Sequence, residues 1–470
     1  MKGFYAGKWQ SGSIEHEVTN PYSGELIGHV PLFGPEVLDE AFETLKKGAK
    51  LLSSLSREEH HQIFERLLAL LIKDADEMAK LISSEQGKIL REAKEEVEMT
   101  IRSAESLADS PSLVGARIQP LAGEASVQDR VGYTVRHPHG VVAIISPNPQ
   151  PLILMALNTL YALAAGNAVL IKPSLHTPLI ALRFVELLLQ AGCPPEAIAC
   201  VTGKGKLLGR AICKHRGVNH LICSASLPVI RDVRSQMEFV TSQLQWGCVA
   251  TCVVGRTADL SRVADEVMRV AFECSGQAAF TPTWIACFEK MHDDLRSVLK
   301  ERMEALVPGN PMDSSSDLGP LAEPRKMKKL EERIAFETSL GAELVTGGRV
   351  DGQLYRATLL DQCSMEKTRF SSREIAAPVI GMTAINKAED ATQHIRNQRH
   401  HILTLFSSDQ DWSSRRAVSM PFNNVHVNGI PTWRDGLICL PGHPIRTGRR
   451  LSIDRVSDMS HYKDVVFHSS

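Results

Sequence analysis

The chain has 470 residues, with 53 lysines and arginines against 54 aspartates and glutamates. That length suits two or three lobes with their own cores, and the balance gives no basic surface for nucleic acid. Ten cysteines scattered without repeated short spacing point to a reducing cytoplasmic setting instead of a disulfide framework, and Met1–Tyr5 is too polar to begin a secretory leader.

From about Glu36 through Ala108, apolar residues recur at three- and four-residue intervals (Ile63, Leu67, Leu70, Leu71, then Ala79, Leu81, Ile82), which predicts several amphipathic helices. Short β-branched runs follow at Gly140–Ile145, Ala168–Ile171, Ile198–Val201 and Leu221–Cys223. Their alternation with helix-length segments predicts a parallel sheet with right-handed crossovers. The longest apolar stretch, Pro151–Ile171, is interrupted by Asn158, Gly166 and Asn167, and reads as a buried helix followed by a strand, not a membrane span. A second series from Thr251 to about Asn428 predicts a second α/β lobe. Ala125–Arg136 and Tyr462–Phe467 alternate apolar and polar residues, as exposed strands do, and such edges invite a partner.

Several segments then occur in a fixed order: Asn20-Pro21-Tyr22-Ser23-Gly24-Glu25, Arg136-His137-Pro138-His139-Gly140-Val141, Ile171-Lys172-Pro173-Ser174, Gly276-Gln277, Glu374-Ile375 with Pro378-Val379, Val427-Asn428 and Pro441-Gly442. Each is weak alone, but the ordered set covers almost the whole chain and resembles the aldehyde dehydrogenase superfamily. The resemblance implies an α/β architecture of two parallel-sheet lobes plus a small oligomerisation hairpin. It places a dinucleotide-binding, Rossmann-like domain at 1–121 and 140–245 and a catalytic-type domain at 246–445. The oligomerisation strands fall at 122–139 and 446–470, and the equivalent strands of the family pair between subunits.

The family's reaction is NAD(P)-dependent oxidation of an aldehyde to a carboxylic acid through a thioester. A thiolate attacks the carbonyl, donors hold the oxyanion, hydride leaves to the nicotinamide, and a carboxylate activates water. On the resemblance, the nucleophile position in Cys274-Ser275-Gly276-Gln277-Ala278-Ala279 is Ala279, which carries only a methyl group. The general-base position is Gln245, whose spacing to Ala279 agrees with the family's, and an amide takes no proton from water at neutral pH. The oxyanion-donor position is Pro149, in Ser146-Pro147-Asn148-Pro149-Gln150-Pro151, with Asn148 one residue away between two prolines that restrict its backbone.

For NAD or NADP, the resemblance assigns Lys172 and Ser174 to the adenosine ribose side, Gly205 to the loop beside the adenine and Glu374 to the nicotinamide ribose. Leu175 stands where many NAD-using members carry an acid. Ala376 replaces an aromatic near the nicotinamide. In the segment opening the pyrophosphate helix, Ile222-Cys223-Ser224-Ala225-Ser226, Val229 occupies a later glycine position, and a branched side chain there obstructs phosphate approach. Dinucleotide affinity is therefore expected to be weakened or lost.

Simpler roles account for other candidates. Gly203 and Gly205 suit a turn; for Lys172 as an ordinary strand-end lysine and Glu374 as a surface carboxylate, the motif context favours the cofactor roles instead. Cys274 is expected in the preceding helix, buried and inert. Cys248 and Cys252 lack a converging His pair and give no metal site. The adjacent pairs His60-His61 and His400-His401 suit solvated or capping roles.

Three functional readings remain open. The preferred one is a family member that has lost its chemistry and acts as a binding or scaffolding subunit, as a homodimer, homotetramer or partner of an active relative. In the second, an active enzyme has had its nucleophile engineered to Ala279, which leaves Gln245, Pro149 and Val229 unexplained. The third is changed chemistry using Cys274 or His426, which no constellation supports. If the chain is active, its partner is a small-molecule aldehyde; neither nucleic acid nor a membrane is implied.

Overall fold

The computed structural model describes residues 1–108, 117–119, 130–237, 240–245, 249–278, 281–370, 375–391, 402–420, 422, 424–432 and 458–468. Two hairpins lead the chain, β1 (Gly3–Tyr5) with β2 (Lys8–Gln10) and β3 (Glu15–Thr19) with β4 (Leu26–Pro31). Asn20 closes the second, its side chain accepting from the Tyr22 and Ser23 N–H groups. Helices α1 (Leu38–Ser54), α2 (Arg57–Gln86) and α3 (Leu90–Ala108) follow, as the periodicity predicts. A capping box between Ser56 and Glu59 satisfies the first N–H groups of α2. Gly87, at φ 87°, ends it in a left-handed turn that glycine adopts without strain.

After β5 (Arg117–Gln119) and β6 (Arg130–Pro138), strands and helices alternate: β7 (Val141–Ile145), α4 (Ile153–Ala164), β8 (Ala168–Lys172), α5 (Leu179–Gln190), β9 (Ile198–Cys200), α6 (Arg210–Lys214), β10 (His220–Ser224), α7 (Leu227–Gln236) and β11 (Thr241–Gln245). The first sheet runs β11-β10-β7-β8-β9-β1-β2, and its five strands from β11 to β9 are parallel. Residues of β8, β9 and β10 are buried throughout, because helices cover both faces of such a sheet; this is why they read as continuous apolar runs. The apolar stretch before β8 is the buried helix α4.

The second sheet is built from β12 (Ala250–Val254), α8 (Leu260–Ala271), β13 (Pro282–Phe288), α9 (Glu289–Glu304), α10 (Pro324–Ser339), β14 (Glu343–Arg349), β15 (Tyr355–Asp361), β16 (Val379–Ile385), β17 (Ile402–Phe406), α11 (Gln410–Ser419) and β18 (Asn424–Val427). Its order is β14-β15-β16-β13-β12-β17-β18, parallel except for the antiparallel edge β14. Apolar cores form around Trp284 and Phe370 and around Val267 and Phe406. The final strand, β19 (Ser460–His468), pairs antiparallel with β6 in the same chain and, with β5, makes a three-stranded sheet. Among the described residues no helix is long and apolar enough to cross a membrane.

Candidate functional site

Parallel pairing brings the carboxyl ends of β11, β10, β7 and β8 to one edge of the first sheet, the edge at which open α/β folds bind ligands. Lys172 ends β8 there, buried, its Nζ donating to the Pro173 carbonyl at 3.1 Å. Burial pushes its pKa down to about 8, against small opposing influences of Cys223 and Cys200. The Lys172 side chain passes 3.9 Å from where a Cβ would stand on Gly209, at the end of the π-helical turn Gly205–Gly209, so Lys172 and the Gly205 turn are neighbours. A Cβ on Gly205 itself would meet nothing within 4 Å. Glycine is sterically required instead at Gly203, where a Cβ would lie 2.5 Å from the Phe33 carbonyl. Ser174 Oγ accepts from the His176 N–H, a local turn bond.

Gln245 ends β11, only 4% exposed and in register with Ser224 of β10. The Ser224 hydroxyl donates to Gln245 Oε1, and Gln245 Nε2 has no partner. In the turn after β7, the Ser146 N–H donates to the Lys172 carbonyl, which fixes where the turn departs. Asn148 is buried with both amide atoms unpaired, Pro149 is half-buried, and Gln150 takes φ 54°. The helix beneath the carboxyl end of β10, α7, opens with Pro228 in its first turn, which removes one N–H donor; Val229 beside it is exposed.

In the second lobe, α8 ends at Ala271, so Cys274 lies beyond that helix and not in it as the sequence suggested. Cys274 (φ 49°), Ser275 (φ 55°) and Gly276 (φ 70°) form a consecutive left-handed run. Such a conformation costs about 1–3 kcal/mol for each non-glycine residue, and local bonds hold it. Glu92 accepts the Cys274 N–H at 2.9 Å, Ser275 Oγ donates to the Gly319 carbonyl, and Gln277 bonds Cys274, Pro320 and Ala322. A Cβ on Gly276 would stand 2.1 Å from the Ala377 carbonyl oxygen. The Gly276-Gln277 and Pro378-Val379 landmarks therefore meet in space. Ala279 and Glu374 themselves, like Cys248 and the His400-His401 pair, lie outside the described residues.

Cys274 is 1% exposed, and burial raises its thiol well above the usual range despite the nearby Lys88 charge. Such a thiol stays protonated and out of reach, as expected. The eight described cysteines are all free and buried, and among the described residues no cluster could hold a metal. His60 Nε2 bonds the Leu52 carbonyl near the end of α1, the capping role anticipated for it.

Sequence reasoning missed the residues that hold this region together. Glu96 accepts the Leu152 and Ile153 N–H groups at the start of α4, at 2.8 and 3.0 Å, and pairs with Lys88. Burial opposes the Lys88 charge, but the carboxylate of the paired Glu96 outweighs it and raises the pKa. Glu85 likewise accepts the first two N–H groups of α5, and burial pushes its pKa up to about 8. Burial, with the Glu273 charge adding, pushes Glu92 to about 8 as well. The available signal was positional only within α3: Glu92 and Glu96 stand four residues apart, each just before a buried residue, Ala93 and Val97.

A family model described as the aldehyde dehydrogenase family matches residues 9–441. The chain belongs to the aldehyde dehydrogenase family. It is 26% identical over 434 residues to the 3-sulfolactaldehyde dehydrogenase of Priestia aryabhattai, covering 92% of this chain and 90% of that protein. It is 28% identical over 404 residues to the malonate-semialdehyde dehydrogenase of Halalkalibacterium halodurans, covering 84% and 82% respectively. Its fold is that of the NADP-complexed glyceraldehyde-3-phosphate dehydrogenase of Methanocaldococcus jannaschii, with a TM-score of 0.89 at 24% identity over 97% of this chain and 100% of that one. Aldehyde dehydrogenase chemistry needs a thiolate, a base and an oxyanion donor. Of the side chains read as standing on those roles, Gln245 offers an amide with its oxygen already engaged and Pro149 has no N–H.

Proposed function

We propose that this aldehyde dehydrogenase family member is a non-catalytic binding or scaffolding subunit that keeps the frame of the ancestral cleft without its chemistry. The observation that carries this reading is Gln245. Its carbonyl oxygen accepts from Ser224 and its Nε2 is buried without a partner, so what it has left to offer is an N–H donor, which can neither deprotonate water nor be titrated into a base. Ala279 removes the nucleophile and Pro149 the side-chain oxyanion donor, while the buried thiol of Cys274 is no substitute. One engineered exchange at Ala279 would account for none of the other changes.

The dinucleotide belongs to this reading as a weakened ligand, NAD or NADP. Lys172, Ser174 and the Gly205 turn supply an adenosine-side surface, with Glu374 proposed for the nicotinamide ribose. Pro228 and Val229 reduce what α7 offers a pyrophosphate. The group, when bound, would supply a hydride acceptor; the chain's own residues supply contacts to it and no proton transfer. Assembly as a homodimer, a homotetramer or a hetero-oligomer with an active relative completes the proposal.

The test uses the full chain with NAD and NADP and an aldehyde panel that includes 3-sulfolactaldehyde and malonate semialdehyde, the substrates named for its relatives. Calorimetry should show weak or absent dinucleotide binding, absorbance no NAD(P)H, and intact-mass spectrometry no acyl adduct. Steady NAD(P)H formation with a thioester adduct would overturn the reading.

A further inference from the structure

Four histidines from distant parts of the chain meet where the three-stranded sheet docks on the first sheet. His137 on β6 lies in register with His461 on β19, their ring centroids 5.3 Å apart. His139, just past β6, is 5.6 Å from His461 and stacks on His220 of β10 at 4.6 Å with the planes 7° apart. The ring nitrogens also have neutral partners: His220 Nδ1 bonds Thr241 Oγ1 on β11, and His139 Nε2 bonds the Asp458 carbonyl. Beside this stack, Asn167 tethers the start of β19 by donating to the Met459 carbonyl.

We propose that this four-histidine cluster is a proton-operated latch, which holds the three-stranded sheet on the nucleotide-side sheet while His139 and His461 are neutral and loosens it when they become charged. The charged neighbours favour this sense. Arg136 on β6 bonds the Ser460 carbonyl and lies over Tyr462, and Lys463 follows on β19, so the cations beside the rings repel imidazolium. Of the acids on the segment, Asp458 gives His139 its backbone carbonyl, and Asp464 is engaged by Thr134. The β10 and β11 side presents His220 and the neutral Thr241.

Burial first, then neighbouring positive groups, holds His139 and His461 below their ordinary value of 6.5, while the Asp458 carbonyl partly offsets this at His139. A histidine depressed in the folded state stabilises docking fully above its unfolded value. That contribution is lost as pH falls from about 6.5 toward the depressed value. Because Tyr462, Val466 and Phe467 are exposed on β19, loosening the sheet would also change what this surface presents to a partner.

Hydrogen exchange of the full chain at pH 7.5 and 5.5, corrected for intrinsic rates and referenced to β12 and β13, tests the latch. Protection of Arg130–Pro138 and Ser460–His468 should fall severalfold on acidification, because each ring held below its unfolded value withdraws stabilisation as it charges. The double substitution His139→Phe, His461→Gln keeps a stacked ring and a polar end, and should shrink the fall to roughly twofold or less, since neither depressed ring remains. Unchanged protection in the parent chain, or an equal fall in the variant, overturns the proposal. NMR titration of the parent histidines gives a readout independent of the variant's folding: His139 and His461 should titrate below 6.5, and titration at or above it overturns the latch.

Discussion

Lys88 and Glu96 form an ion pair 2.5 Å long with side chains 1% and 0% exposed, and the same carboxylate binds both N–H groups that open α4. One helical turn earlier on α3, Glu92 holds the Cys274 N–H. A single helix thereby ties the turn after β7 to the left-handed loop of the other lobe.

Lys88→Met should destabilise the chain by about 3–5 kcal/mol, because it leaves the Glu96 charge buried without its partner. Urea unfolding followed by tryptophan fluorescence would read this as a lowered midpoint. Glu96→Leu should cost a similar amount for a different reason: the α4 N–H groups lose their acceptor and Lys88 its counter-charge.

Gly276→Ala combines two penalties, a positive φ and a Cβ 2.1 Å from the Ala377 carbonyl, so one backbone must move. The expected loss exceeds the ~1–3 kcal/mol of the strained conformation alone. Differential scanning fluorimetry should show a strongly lowered Tm, whereas Gly205→Ala, where nothing lies within 4 Å, should leave Tm nearly unchanged.

Glu85 supplies a pH dependence of definite sign. Burial raises its folded-state pKa from 4.5 to about 8, so its protonated form favours the fold. That contribution is full below 4.5 and is lost as pH rises through 8. Glu85→Gln removes the charge and keeps one amide oxygen, so one of the Leu179 and Ile180 N–H groups, which Glu85 accepts through separate oxygens, loses its partner at every pH. Its urea midpoint should therefore stay nearly level between pH 5 and pH 8 while the parent's falls; parallel midpoints across that range would contradict the assignment.

Ala279→Cys should restore at most a stoichiometric acyl adduct, because Gln245 cannot activate water. Adding Gln245→Glu should accelerate adduct hydrolysis by roughly 10²–10⁴-fold, the usual contribution of a positioned general base. Intact-mass spectrometry against time separates the two steps. Equal decay in the single and double variants would show that position 245 does not address the reacting centre.

Much of this architecture was legible before any coordinates. Helical spacing from Glu36 to Ala108 became α1 to α3, and the runs near Val141, Ala168, Ile198 and Leu221 became four parallel strands, because burial on both faces of a sheet demands continuous apolar sequence. The edge strand β14 escaped notice, being Gly-interrupted, half-exposed and irregular in register. Cys274 was placed in a helix because αL backbone at a non-glycine residue has no signature in composition. The side chains Ala279, Gln245 and Pro149 are what the polymer carries whatever its shape, so the sequence alone determined which functional groups exist.

Proximity is different, because it depends on how strands and helices pack after distant segments return to one another. Only the tertiary structure decided that Ser224 engages the Gln245 carbonyl oxygen, that Lys88 and Glu96 are sealed from water, and that His137, His139, His220 and His461 meet at one junction. Each of those relationships is a hydrogen bond, an ion pair or a ring contact whose strength falls steeply with distance and rises with exclusion of solvent, and neither quantity is written along the chain.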